Sequence, residues 1–294
     1  MWLPRPNISS MLNNCLSRPA KPLAMLVALL ATGIAQPMHA AEQGFTGGVT
    51  PSRFELNAKQ GDLMRKSIKV YNLGARPQSY NVRTVDWTFT EAGAISFQDE
   101  LAQDSCREWV RLERHKIKVL PDPQRPRNFR FEVAIPDDLP PRECRFALMI
   151  EGVDTKASAD LANGSIKLPV LGRIAVIVYV GIGGVEPQLV VGDVSVQKLN
   201  NQTLPAIAIE NSGNAHGRLD ADLVAKNSNG KNVPLTIATS PILPGQTRQM
   251  ALTPAPGLAL DYPLTITGKI YSDGQTITVD QQILSPTQGI IAER

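Results

Sequence analysis

Residues 165–184, SIKLPVLGRIAVIVYVGIGG, decide how the rest of the chain is interpreted. The stretch begins by alternating, with Ile166, Leu168 and Val170 on one face of an extended chain, and continues as an almost uninterrupted apolar run. Alternation is typical of a half-buried strand, and a continuous run of a strand covered on both faces. A helix is disfavoured because a proline and a glycine interrupt the run. We predict the last strand of a first domain, followed by a glycine hinge at 181–184.

The first 41 residues are typical of an export signal. Three basic residues precede an uncharged apolar run at 22–35, and small residues at 38–41 offer a cleavage site. The run is short for a bilayer span, and no later segment reaches the length of about 18 apolar residues that a spanning helix needs. We therefore predict a signal peptide over 1–41, with an uncleaved membrane anchor as the alternative.

Removal of this segment changes the charge of the chain. The full sequence has 30 Lys and Arg against 27 Asp and Glu, and residues 1–41 hold three basic residues and no acidic ones. The remainder is therefore neutral, and the basic pI does not predict a nucleic-acid partner. Residues 107–130 still hold eight Lys and Arg against three Asp and Glu, which is typical of a solvated strand face and loop.

Two cysteines, Cys106 and Cys144, remain after the leader. An even number in an exported chain predicts one disulfide. Cys106 and Cys144 stand at the starts of two predicted strands, about 107–120 and 144–151, with one antiparallel strand between them. The two strands therefore run in the same direction and start at the same end of a sandwich. The bridge would close a loop of about 38 residues and stabilise by about 4 kcal/mol in the chain-entropy model. Free thiols and a metal pair are the alternatives, although no third ligand lies at metal-site spacing.

From residue 45 onward, short alternating runs are separated by Gly, Pro, Asn and Asp. About seven such runs precede residue 152, a polar loop is predicted at 152–164, and a single helical turn at 97–105. The pattern then restarts after residue 184 with turn residues between its runs. Regular short strands of this kind are the pattern of β-sandwiches. The predicted fold is all-β, with two immunoglobulin-like β-sandwich domains, 42–184 and 185–294, joined by a short Gly-rich hinge.

Catalytic and ligand-binding motifs are absent from this pattern. Only His115 and His216 follow the leader, and no nucleophile triad or zinc motif accompanies them. The glycines at 181–184 follow a strand, but the helix that a dinucleotide loop requires is replaced by another strand. The paired aspartates at 137–138, and those at positions 220 and 222, lack a full set of calcium ligands. We predict no enzyme, no cofactor, no metal and no small-molecule substrate.

Several segments together resemble one known family, the PapD-like periplasmic chaperones of the chaperone–usher pilus pathway. The resemblance covers roughly 48–285 and is firmest in the first domain. In that domain the segments are TPSRFEL, SIKVYNLGARPQSYNV, VDWTF, EWVRL, IKVLPDP, FRFEVAIPDD and CRFALMIEG. In the second domain they are IENSGNAHGRL and SPILPGQTRQM.

The resemblance implies a non-enzymatic chaperone of the periplasm. In such a protein the last strand of the first domain completes the unfinished sandwich of a pilus subunit by donor-strand complementation. The chaperone then delivers the subunit to an outer-membrane usher. The implied partners are therefore pilus or fimbrial subunits and the usher, and not nucleic acid.

The family's functional residues transfer onto this chain residue by residue. Arg53 matches the first-strand basic residue that grips the carboxylate of the subunit's C-terminus. The family's second basic residue is a lysine, and this chain has Ala175 and Val176 there, so Arg173 is the nearest candidate. The alternating donor side chains correspond to Ile166, Leu168 and Val170. Pro169 is a further departure, because it removes a backbone donor from the strand that would pair with the subunit.

The two departures favour a second hypothesis. In it the chain is a structural or adhesive immunoglobulin-like module of a surface appendage, without donor-strand exchange. An N-terminal extension of alternating apolar residues would support this hypothesis, and residues 42–48, EQGFTGG, do not have that pattern.

Overall fold

The structure is a computed structural model that describes residues 45–90, 93–153, 158–160, 167–169, 172–199, 202–272 and 274–285. Of residues 158–160, 167–169 and 199 it describes the backbone alone. The first part of the chain forms strands β1 (Gly47–Thr50), β2 (Arg53–Ala58), β3 (Leu63–Asn72), β4 (Gln78–Phe89), β5 (Ile95–Gln98), β6 (Val110–Leu112), β7 (Lys116–Val119), β8 (Arg127–Ala134), β9 (Arg142–Gly152), β10 (Ser158–Asp160), β11 (Lys167–Pro169) and β12 (Arg173–Ile182).

The second part of the chain contains only strands in the residues described. They are β13 (Leu189–Leu199), β14 (Gln202–Asn211), β15 (Asp220–Lys226), β16 (Asn232–Ile237), β17 (Thr247–Pro254), β18 (Leu264–Ser272) and β19 (Gln275–Ile283). Among the described residues of the first part, one 3₁₀ turn, Arg107–Trp109, interrupts the strands. Within the described ranges no helix is long and apolar enough to cross a membrane.

Two sheets build the first sandwich. One has four strands in the order β1-β3-β8-β6, and the other has the order β2-β12-β9-β4-β5, with β7 also paired to β4. The chain crosses from the first sheet to the second at the cis peptide bond between Thr50 and Pro51. Among the described strands of this sandwich, every strand pair is antiparallel except β2 with β12. A separate two-stranded ribbon joins β10 to β11.

Alternating side chains form the core between these two sheets. Because successive residues of a strand point to opposite faces, every second residue of each strand enters the core. The fully buried residues of the inner strands are Ile68, Val70, Phe129, Phe131, Val133, Phe146, Leu148, Ile150, Val176, Val178 and Val180. The other residues of β12, among them Ala175, Ile177 and Tyr179, therefore lie on the face that points away from this core.

A disulfide links Cys106 to Cys144, as the sequence predicts, with their Cα atoms 5.6 Å apart. Cys144 lies on β9, and Cys106 precedes the turn that leads into β6 of the opposite sheet. The buried carboxylate of Asp86 holds the segment before the bridge, because it accepts a hydrogen bond from Ser105 Oγ at 2.7 Å. Arg107 Nη1 lies 3.3 Å from the same carboxylate. The free-thiol and metal-pair alternatives therefore do not apply.

The second sandwich is one continuous sheet folded over its own core. Its seven strands follow the order β13-β14-β17-β16-β15-β18-β19. Strand β17 changes partner along its length, pairing with β14 through residues 247–251 and with β16 through residues 252–254. The two edge strands meet where the Val194 N–H donates to Gln281 Oε1 at 2.6 Å. The buried core draws on residues from Leu189 to Ile283.

The predicted all-β fold with two sandwiches is confirmed. The single strand expected through 165–180 is wrong, because Lys167–Pro169 pairs with Ser158–Asp160 as a separate ribbon. That ribbon also takes part of the loop predicted at 152–164. The helical turn expected at 97–105 is wrong too, since β5 occupies its start and the 3₁₀ turn follows it. The hinge at 181–184 and the domain boundary there stay predictions, and the signal peptide over 1–41 lies outside the described residues.

Candidate functional site

Strand β12 is paired along its whole length on one side and only in part on the other. Strand β9 covers all of it. Strand β2 begins with Arg53 opposite Ile177 and continues to Ala58 opposite Ile182. On that second side, residues 173–176 have no strand partner in the part of the chain that the structure describes. Unpaired backbone N–H and C=O groups of this kind are a template for another chain's strand.

An apolar surface lies beside this open edge, on the face of the six-stranded sheet that points away from the core. We call it the outer apolar face. Its buried members are Val85, Trp87, Ala147, Met149 and Tyr179, and its half-buried members are Phe89, Phe97, Ala175 and Ile177. Leu243, from the second sandwich, packs on it. Ala175 and Ile177 remain partly exposed next to the open edge, so a strand added there would meet an apolar wall.

A buried carboxylate joins the two sandwiches below this face. The Glu143 side chain, on β9, is only 4% exposed. One carboxylate oxygen accepts a hydrogen bond from the backbone N–H of His216 at 3.1 Å. The other is hydrogen-bonded to the imidazole Nδ1 of the same residue at 2.7 Å. Because an ionised carboxylate only accepts hydrogen bonds, Nδ1 donates here. The Glu143 backbone N–H also donates to the carbonyl oxygen of Asn214 at 3.1 Å. Hydrogen bonding of this kind is what makes a buried carboxylate tolerable.

Tyr179 supports the same histidine from the first sandwich. Its ring stacks on the imidazole of His216, with 3.9 Å between the ring centroids and 23° between the planes. It also meets Trp87 edge to face at 5.4 Å. Burial raises the pKa of the Tyr179 hydroxyl to about 12, because the phenolate would lose its water. The Tyr179 hydroxyl therefore stays protonated and uncharged throughout the physiological pH range.

Two arginine side chains and one imidazole approach a single oxygen, Oε1 of Glu55. Arg53 Nε lies 2.9 Å from it, Arg218 Nη2 lies 3.3 Å from it, and His216 Nε2 lies 3.6 Å from it. We call Arg53, Glu55, His216 and Arg218 the Glu55 cluster. Glu55 and Arg53 come from β2, whereas the other two come from the second sandwich. The cluster is thus a second polar link between the sandwiches, and its carboxylate is 46% exposed.

The structure does not bring together the two predicted basic anchors. Arg53 lies opposite Ile177, and Arg173 lies four positions earlier on β12, opposite Glu151. At about 3.3 Å per residue the two backbone positions are separated by roughly 13 Å along the strand. Arg173 is exposed. Instead, the cation that the structure places beside Arg53 is Arg218.

The predicted donor side chains cannot be followed in the same way. Ile166 and Val170 lie outside the described residues, and of Leu168 only the backbone is described, paired with Ala159 of β10. The role of all three stays a prediction. Pro169 ends β11 opposite Ser158.

The sequence analysis missed His216, Glu143 and Arg218 as parts of a site. It found no triad or zinc motif around His216 and gave this residue no role, although the segment IENSGNAHGRL that contains it was one of those resembling the chaperone family. No local pattern ties these residues to Glu55, because their partners come from strands far apart in the chain. In the described ranges, no three His, Cys, Asp or Glu side chains are grouped so as to hold a metal ion.

No protein-family model and no curated protein matches the chain. Solved structures that resemble it include the YadV chaperone, at 12% identity and a TM-score of 0.44, over 81% of this chain and all of that one. The Pseudomonas aeruginosa CupB2 chaperone matches at 13% and 0.42, over 81% and 100%. A chain of the Salmonella enterica SafA pilin complex with the SafB chaperone matches at 14% and 0.43, over 82% and 98%.

Proposed function

We propose that this protein is a periplasmic, non-enzymatic chaperone that binds pilus subunits and delivers them to an outer-membrane usher. The observation that carries the proposal is the open edge of β12 at residues 173–176, beside the half-buried Ala175 and Ile177 of the outer apolar face. An edge of this kind and an apolar wall are the two surfaces that an incoming strand requires. The resemblance of the sequence to PapD-like chaperones supports the same function.

The physical basis is strand addition. A subunit whose own sandwich lacks a strand exposes an apolar groove and unpaired backbone groups, and such a surface aggregates. A chaperone that supplies a strand satisfies the hydrogen bonds through its backbone and fills the groove through alternate side chains. In this proposal Ile166, Leu168 and Val170 fill the groove, and the strand pairs from this segment toward residues 173–176.

Arg53 has the role of holding the subunit in register. Its guanidinium lies on β2 beside the outer apolar face and is about half exposed, so that a carboxylate can reach it. A guanidinium binds a carboxylate with two parallel hydrogen bonds, which fixes direction as well as affinity. In this proposal the C-terminal carboxylate of the subunit binds there, with Arg173 further along β12 as the second candidate.

Co-expression with a candidate pilus subunit tests the proposal. We expect a stable one-to-one complex with the wild-type protein and a large loss of complex with Arg53→Ala. Arg65→Ala is the matched control, because Arg65 is also an exposed strand arginine paired with a glutamate, at 2.7 Å, but lies on the other sheet. The absence of any complex, or equal loss in both variants, would exclude the proposal.

One observation favours the second candidate, a self-contained module of a surface appendage. Part of the segment expected to donate, Lys167–Pro169, already pairs with Ser158–Asp160 of the same chain. Mass spectrometry of whatever co-purifies with the protein from the periplasm separates the two functions. Captured pilus subunits support the chaperone, and incorporation of the protein itself into an assembled appendage supports the module. The neighbouring genes give a second test, since an usher gene beside this one favours the chaperone.

A further inference from the structure

The Glu55 cluster holds more positive charge than one carboxylate needs. Two arginine guanidinium groups and one imidazole nitrogen converge on the same oxygen of Glu55. The other nearby carboxylate, Glu143, is already occupied by the Nδ1 and backbone N–H of His216. The cations of the cluster therefore have one internal anion to share.

Arg218 also has donor capacity that the described residues do not use. Its Nη1 donates to the carbonyl oxygen of Thr239 at 3.0 Å, which fixes the guanidinium in place. Its Nε is buried and has no hydrogen-bond partner in the described part of the structure. Buried donors are normally paired, and an unpaired one costs free energy. Because Nη1 fixes the orientation of the guanidinium, Nη2 is directed at the position that the Glu55 carboxylate occupies.

We infer that Glu55 is a built-in occupant of a carboxylate-binding site formed by Arg53, His216 and Arg218, and that the carboxylate of a bound partner displaces it. That the partner is a pilus subunit rests on the proposed function. The competition between Glu55 and the partner's carboxylate is a separate statement about how the site is regulated. Glu55 lies close to the solvent, so the exchange needs no opening of the core. His216 stays in place during the exchange because Glu143 holds it from the buried side.

The arrangement assigns a chemical class to the ligand. The site lies next to Ile177, where the outer apolar face ends, and Arg53 stands directly opposite that residue in the sheet. A ligand that fits both surfaces has an apolar extended chain that ends in a free carboxylate. Glu55 keeps the arginines neutralised while no such ligand is present, and this lowers the affinity for other anions as well.

A synthetic peptide tests the competition without the natural partner. The probe is an acetylated Val-Thr-Val-Thr-Val peptide with a free C-terminal carboxylate, compared with its C-terminal amide, and binding is measured by calorimetry. We expect Glu55→Gln to bind the carboxylate form about fivefold more tightly than the wild type, because a charged competitor has been removed while the shape is kept. The amide form should bind equally to both. Glu132→Gln, which removes an exposed glutamate on the other sheet, should match the wild type.

Arg218→Ala in the Glu55→Gln background identifies the second cation. We expect it to abolish the preference for the carboxylate form; retention of that preference would exclude Arg218 from the site. Equal binding by Glu55→Gln and the wild type overturns the competition, and so does a failure of every variant to bind the peptide. Neither result decides the chaperone function, which instead fails if Arg53→Ala captures pilus subunits as well as the wild type does.

Discussion

Each sandwich ends one of its long strands on a fully buried asparagine, and the two asparagines make the same kinds of hydrogen bonds. Asn72 closes β3, and its Nδ2 donates to the carbonyl oxygens of Arg76 and Val119 at 2.6 and 3.2 Å. Asn211 closes β14, and its Nδ2 donates to two carbonyl oxygens at 2.8 and 2.9 Å. In both corners the side-chain oxygen accepts the N–H of the glycine two residues later, at 3.0 Å.

The two sandwiches differ in how their layers are joined. In the second sandwich β17 pairs with a strand of each layer, so backbone hydrogen bonds run from one layer to the other. In the first sandwich the four-stranded and six-stranded sheets share no strand, and the Cys106–Cys144 disulfide connects them covalently. The comparison suggests a rule: a covalent link is placed where the hydrogen-bonded sheet is interrupted.

Removal of the disulfide should have the largest effect on the difference in stability between the two sandwiches. Replacing Cys106 and Cys144 together by alanine should lower the free energy of unfolding of the first sandwich by about 4 kcal/mol, because the link closes a loop of 38 residues. Urea unfolding followed by tryptophan fluorescence measures this, since Trp87 and Trp109 both lie in the first sandwich and no tryptophan follows them. Hydrogen exchange in the second sandwich should not change. An equal loss in both would show that they unfold as one unit.

Substitution of either buried asparagine by alanine should lower the free energy of unfolding of its own sandwich by a similar amount. Asn72→Ala and Asn211→Ala each leave two carbonyl oxygens and two donors without their partner. The loss costs about 1–3 kcal/mol for a buried group and less where water replaces the partner, so we expect about 3 kcal/mol per variant. Hydrogen exchange resolved along the chain assigns each loss to its own sandwich. Asn128→Ala, at an exposed position of β8, is the control and should cost less than about 0.5 kcal/mol. Unequal losses would disprove the equivalence of the corners.

Tyr179 should make the stability of the first sandwich fall at high pH. Burial raises the pKa of its hydroxyl to about 12 in the folded protein, whereas an unfolded tyrosine titrates near 10. The contribution is therefore complete below pH 10 and is lost as the pH rises through 12, by about 2 kcal/mol. Tyr179→Phe should remove this part of the pH dependence, and Tyr271→Phe, at an exposed position, should not. Urea midpoints from pH 9 to 12 provide the measurement.

The smallest effect concerns the link between the sandwiches. Glu143→Gln weakens the charge-assisted contact with His216 and should cost about 1–2 kcal/mol. It should also separate the unfolding transitions of the two sandwiches, which fluorescence and hydrogen exchange can follow independently. Glu132→Gln removes a surface partner of Arg65 and should cost less than about 0.5 kcal/mol. Similar costs for the two variants would mean that the buried carboxylate contributes no more than a surface ion pair.

The sequence alone predicts the strands well and their pairing poorly. Alternation identifies β3 and β8, because one face of each is buried against the opposite sheet. The even cysteine count predicts the disulfide because the redox chemistry of exported chains is simple. The pairing of β10 with β11 was not predicted, since a three-residue strand produces no periodic signal. The parallel pairing of β2 with β12 was also missed, because it depends on the chain crossing between sheets at Pro51.

The candidate site is harder to predict than the fold. Arg53 was found through its resemblance to a family motif, and the open edge of β12 lies in the stretch that the sequence analysis placed first. Glu55 and Arg218 were not found, because their contact joins residues that only the packing of the two sandwiches brings together. A charged residue on an exposed strand position gives no signal about which opposite charge it will meet.

The parallel pairing of β2 with β12 also determines the order in which the molecule can assemble. Arg53, at the start of β2, pairs with Ile177 of β12. Strand β2 therefore cannot join its sheet until nearly the entire first sandwich has been synthesised. Contacts between such distant parts of the chain slow folding, because a long loop must close before they form. The pairing of β2 with β12 is therefore expected to form late. Until it forms, the edge of β12 is open along its whole length, and only afterwards is it limited to residues 173–176.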